Sequence, residues 1–167
     1  MPPVSHATSE PREGGRWIVR FETHVPFAYE AVWAALTTAD GLYGWLAAVD
    51  VLERRFGGAV TLRRPYTGIT VSGKVTAWDA ERVVEYTVTG EGRIRFHLDA
   101  VGTDSTVVRF LNERGGSDAE RLDCLAAWHE HFEGLEAALG GQPVDWAGRT
   151  EARRAELRAS YASFSRT

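Results

Sequence analysis

From about Ala48 to Phe110 the chain alternates apolar and polar residues with a period of two, and from Asp118 the period switches to that of a helix. That switch constrains the fold more than any other feature. Val60 and Leu62, then Val71, Gly73, Val75 and Ala77, then Val84, Tyr86 and Val88, then Ile94, Phe96 and Leu98, then Val108 and Phe110 each mark one face of a strand. Val49 and Val51 make a weaker strand before them. Gly57-Gly58, Pro65 to Gly68, Gly90-Glu91-Gly92 and Thr103-Asp104 supply the turns. Short turns and clean alternation predict an antiparallel sheet with one wet face. The apolar face needs a cover. Leu122, Leu125, Trp128, Phe132, Leu135 and Leu139 recur at helical spacing and form that cover. Ser117 or Asp118 caps the helix, Glu120 completes a capping box, and Gly140-Gly141 ends it.

Upstream, Trp17, Val19 and Phe21 mark a first strand, stopped at Pro26. Tyr29, Val32, Trp33 and Leu36 predict a helix, and Thr38 and Asp40 can cap a second, short one through Leu42 and Trp45. The predicted class is therefore α+β: a curved antiparallel sheet of about seven strands around a long C-terminal helix, with two short helices after the first strand. Residues 1–16 lack apolar periodicity and read as a flexible leader. Residues 17–141 form the domain. Residues 142–167 form a tail with a helix from about Arg149 to Tyr161, whose docking the pattern leaves open. One long helix in a curled sheet leaves a gap at its end, so this architecture implies a concave apolar cavity.

Composition removes several function classes. With 19 basic and 23 acidic residues the net charge is -4, which argues against a nucleic-acid partner. Cys124 is the only cysteine, so there is no internal disulfide, and a reducing, cytoplasmic setting is expected. No apolar run has the length of a membrane span, no secretory signal is visible, and no membrane insertion is expected. No nucleophile elbow, Walker loop or dinucleotide loop is present. His129 and His131 sit two apart on a helix and point away from each other, so no metal site and no cofactor are expected. Arg93, Arg95 and Arg109 fall on the outer sheet face, where Glu85 and Glu113 can pair with them.

The candidate ligand-binding residues come from the inward phase. Arg64, Tyr86 and Asn112 carry polar groups on it, Trp45 and Tyr66 lie near the expected rim, and Phe96, Trp128 and Phe132 would wall a cavity. A buried polar group without a partner costs about 1–3 kcal/mol. Each of the three polar residues is therefore either paired internally or placed at a pocket mouth, and the sequence leaves both readings open.

Several segments together resemble a known superfamily. They are Val32-Trp33-Ala34-Ala35-Leu36-Thr37 with Trp45, Gly57-Gly58 before a strand, Val71-Ser72-Gly73-Lys74-Val75, Trp128-His129-Glu130-His131-Phe132 through Leu135 and Leu139 to Gly140, and the ending Pro143-Val144-Asp145-Trp146 with Tyr161. The chain resembles the SRPBCC superfamily, with its START-like, helix-grip fold. Within it, the chain is similar to the bacterial branch that looks like the C-terminal domain of the heat-shock-protein-90 ATPase activator. The resemblance implies a fold more than an activity. The leading expectation is non-catalytic binding of a small apolar or aromatic molecule in an internal cavity. A polyketide aromatase/cyclase-like enzyme would use the same cavity, with Arg64, Tyr86 or Asn112 stabilising an enolate or moving a proton. A chaperone partner, or a homodimer, is the remaining class. Against ATPase activation, the short leader supplies no counterpart of the activator's separate N-terminal domain.

Overall fold

The computed structural model describes residues 6–164. One sheet of eight antiparallel strands dominates it: β1 (Thr8–Pro11), β2 (Arg16–Val25), β3 (Ala48–Leu52), β4 (Ala59–Arg63), β5 (Thr70–Asp79), β6 (Val83–Val88), β7 (Gly92–Val101) and β8 (Ser105–Gly115). Their spatial order is β1-β2-β8-β7-β6-β5-β4-β3. Helices α1 (Tyr29–Thr37) and α2 (Ala39–Tyr43) follow β2, α3 (Asp118–Leu139) follows β8, and α4 (Ala152–Phe164) ends the described chain.

The sheet has one strand more than the alternation indicates, and that strand lies in the supposed leader. Thr8 to Pro11 pair with Trp17 to Arg20 through a turn that holds Gly14 and Gly15 at positive φ. An edge strand packed on one neighbour needs backbone hydrogen bonds more than an apolar face, so its sequence shows little pattern, and Pro11 is tolerated there. The leader reading for residues 1–5 lies outside the described residues.

A second departure is local. Between Val75 and Ala77 the β5–β6 register shifts by a bulge. Val75 is fully buried, but beyond the bulge it is Trp78, not Ala77, that packs on the core, with its ring 5.1 Å from that of Trp33. A bulge inserts one residue and so reverses the strand's phase.

The caps form as read. Thr38 Oγ1 accepts from the Gly41 amide, and Ser117 and Glu120 make a reciprocal capping box at the start of α3. The sheet's outer face is laced by ion pairs: Glu85 meets both Arg93 and Arg95, Arg93 also reaches Glu113, and Arg109 pairs with Asp99.

Candidate functional site

Helix α3 presents Trp128, Phe132 and Leu135 to the concave side of the sheet, and aromatic rings fill the space between them. Phe110 sits 4.4 Å from Trp128 and 5.1 Å from Phe132, centroid to centroid. Phe96 is 5.3 Å from Phe110, and Trp45 is 5.9 Å from both Phe96 and Phe132. Trp45, Phe96 and Phe132 have no solvent-exposed surface. Four of the aromatic candidates, Trp45, Phe96, Trp128 and Phe132, therefore come together, joined by Phe110 and Phe21. Edge-on and tilted pairs at such distances are favourable packing beyond the area they bury.

The polar candidates are each engaged. Asn112 uses its whole amide: Nδ2 donates to the Glu91 and Arg93 carbonyls, and Oδ1 accepts from Trp128 Nε1 and the Cys124 thiol. Burial pushes that thiol up to about 12, so it stays protonated and is a poor nucleophile. The Tyr86 hydroxyl donates to the Leu36 carbonyl at 2.7 Å, tying the sheet to α1, and burial raises its pKa. Arg64 pairs with Glu91.

Tyr66 leads to a different place. Its ring stacks on Trp146 at 6.0 Å, carries the Arg149 guanidinium 4.3 Å above it, and its hydroxyl accepts from Arg154 Nη1. Trp146, Arg149 and Arg154 belong to the tail, which folds back over α3. Leu157 and Tyr161 are its buried anchors. The Tyr161 hydroxyl meets His129 Nδ1 at 2.7 Å and also accepts from the Ala7 amide, so one phenol joins both ends of the described chain to α3. Arg149 and Arg154 both reach Glu130, Arg153 grips Glu133, and Arg158 pairs with Asp123.

Between α3 and this tail lies a cleft of about 290 Å³, walled by Trp45, Gly134, Val144 and Trp146, with His131, Glu130, Glu133 and Arg149 as its polar groups. Its volume lies just below the usual span of ligand pockets, about 300–1,000 Å³, and its lining is mixed as theirs is. His131 is the residue that sequence reasoning misses. Its spacing from Trp128 and Leu135 puts it beside the apolar stripe, the signal that could have marked it. Its Nδ1 lies 3.1 Å from the Trp45 carbonyl. Burial, then the nearby Arg64, Arg154 and Arg149, hold it well below the usual imidazole range, so it is neutral. Among the described residues no group of three or more His, Cys, Asp or Glu is placed to hold a metal ion, and no helix is long and apolar enough to cross a membrane.

The model of the "Activator of Hsp90 ATPase homolog 1-like protein" family matches residues 26–140, more than half of the chain. The chain belongs to that family. AHSA1-like domains are thus the frame for the fold described above, from α1 through α3, while β1, β2 and the tail lie beyond the matched segment. No curated protein matches the chain. Among solved structures, the chain is similar to CalU16 from Micromonospora echinospora, with 16% identity, a TM-score of 0.70, and coverage of 95% of this chain and 96% of that one. It is similar to the protein encoded by BPP1335 of Bordetella parapertussis, with 23% identity and a TM-score of 0.68 over 97% and 94% of the two chains. It is also similar to the Aha1 dimer from Colwellia psychrerythraea, with 23% identity and a TM-score of 0.62 over 73% and 95%. Likeness at such identities speaks for the fold alone.

Proposed function

We propose that this AHSA1-family protein is a non-catalytic cytoplasmic binding domain that takes a small apolar or aromatic molecule in the cleft between α3 and the tail. The observation that carries this is the lining: the Trp146 indole, Val144, Gly134 and the backbone side of Trp45 border a neutral imidazole in a hollow of about 290 Å³. The aromatic cluster under the sheet supports placing the ligand here and not deeper, because those rings already occupy one another's surfaces. Arg64, Tyr86 and Asn112, the groups a cyclase would use, all serve internal bonds. That supports binding over catalysis.

Native mass spectrometry of the purified protein, followed by thermal-shift screening with aromatic compounds, tests this reading. A ligand that binds the folded state raises the melting temperature by mass action. Gly134→Leu should abolish the shift, since a Cβ at Gly134 would already stand 3.0 Å from Val144 Cγ2. Absence of any bound species and of any shift sinks the proposal.

A second reading, a protein partner, draws on the exposed apolar side chains Phe56, Ile69, Tyr43 and Val51. The solved Aha1 relative is described as a dimer, which makes a second copy of this chain one such partner. Concentration-dependent sedimentation of wild type and Phe56→Ser decides it.

A further inference from the structure

The polar groups of the cleft can be followed one at a time. Glu130 Oε1 takes Arg149 and Arg154 at 2.7 Å each. Both oxygens of Glu133 take Arg153. Arg149 is held between Glu130, Glu151 and the face of Tyr66. The indole N–H of Trp45 donates to the Ala35 carbonyl, and that of Trp146 to the Tyr43 carbonyl. The imidazole of His131 is only half used. A carbonyl can only accept, so the contact of His131 with the Trp45 carbonyl puts the imidazole proton on Nδ1. Nε2 then carries a lone pair, and no hydrogen bond to it exists among the described residues.

The cleft therefore offers a ligand an uncharged acceptor, His131 Nε2, near the Trp146 indole. A carboxylate is disfavoured, because every arginine nearby is committed and Glu130 and Glu133 repel it. At the imidazole itself Arg64, Arg149 and Arg154 oppose a positive charge, so Nε2 suits a neutral donor better than an ammonium. A hydroxyl fits both conditions. It is neutral, it donates one hydrogen bond, and the guanidinium groups favour the negative character its oxygen gains in donating.

We infer that the ligand of this cleft is a hydroxylated aromatic molecule of one or two rings, its phenolic O–H donating to His131 Nε2 while its ring lies against Trp146 and Val144. The inference rests on the binding function proposed above and names the chemical class that the site selects. A site built to accept a donor rejects an analogue that lacks it more sharply than an apolar wall rejects a missing methylene.

Calorimetric titration of the full-length protein with 2-naphthol and with 2-methoxynaphthalene is the test. The first should bind at least about tenfold more tightly. His131→Phe should bring the two affinities together, and His131→Gln, which keeps an acceptor, should retain part of the difference. The imidazole ¹⁵N spectrum of folded wild-type protein gives an independent readout: the His131 Nε2 resonance should move with 2-naphthol and stay with 2-methoxynaphthalene. Equal affinities in wild type, or an Nε2 signal indifferent to the hydroxyl, overturn the inference while leaving the cleft as a binding site. Binding of neither compound, or binding unchanged in Gly134→Leu, overturns the cleft reading and this inference with it.

Discussion

Helix α3 is buried on two sides, and the two sides are held by different physics. Toward the sheet, Trp128, Phe132 and Leu135 interlock with Phe96, Phe110 and Trp45, and Asn112 among them has all its hydrogen bonds made internally. Toward the tail, the contacts are mostly arginine on glutamate, with Leu157 and Tyr161 as apolar anchors. Dispersion and burial are nondirectional and leave no room. Charge pairs have fixed geometry and leave gaps between them, and one of those gaps is the cleft. A helix-grip domain can thus have a solid grip and still present a site on the helix's other side.

Substitutions on the sheet side of α3 should cost the most. Phe132→Ala removes the ring at the centre of the cluster and should cost about 3–5 kcal/mol in urea unfolding. A loss below about 1 kcal/mol would mean that the sheet side is not packed as described. Leu157→Ala should cost about 2 kcal/mol, and its effect should be local: amides of α4 exchange faster while those of β7 and β8 keep their protection. Global loss of protection would make the tail part of the same cooperative unit.

Tyr86→Phe deletes the bond to the Leu36 carbonyl and should cost about 1 kcal/mol without changing the affinity of a cleft ligand. Reduced affinity would move the site back under the sheet. Glu130→Gln weakens the hold on Arg149 and Arg154. A partly exposed network of this kind contributes up to about 1 kcal/mol, and the loss should shrink at high salt, as a melting series in sodium chloride would show.

Acid probes the same side without a mutation. His129 and His131 both have pKa values lowered by burial, so the unfolded chain takes up protons that the folded one refuses. Their contribution to stability is complete above the unfolded value of about 6.5 and is lost progressively as pH falls below it toward the folded values. Melting temperature should fall across that window, and His131→Gln should flatten the fall. Glu136, whose pKa burial raises, acts in the opposite sense: it favours the folded state at pH below its unfolded value of 4.5, and that benefit fades as pH rises through its folded value.

Much of the sheet side was legible in residue order. Alternation from Val60 to Phe110 placed the strands, and the Ser117–Glu120 box marked the start of α3. Two elements escaped for stated reasons. β1 is an edge strand without an apolar face, and the bulge at Thr76 exchanged Ala77 for Trp78 by inserting one residue into the phase. The tail side was far less legible. A run of arginines and glutamates in residues 149–158 looks the same whether it is solvated or docked, since side chains of that kind suit either environment. Trp45 and Tyr66 were singled out from position alone, whereas His131, bonded to the Trp45 carbonyl, was weighed only as a metal ligand.

What residue order determined by itself was periodicity, and with it an α+β chain in which one long helix covers one apolar sheet face. Periodicity is local, and burial drives it. Tertiary structure alone decided which inward groups meet. It filled the sheet side with rings, gave Asn112, Tyr86 and Arg64 to internal partners, and left the His131 imidazole with an unused acceptor beside the tail. Those outcomes depend on contacts between residues far apart in sequence, and no spacing rule along the chain encodes them.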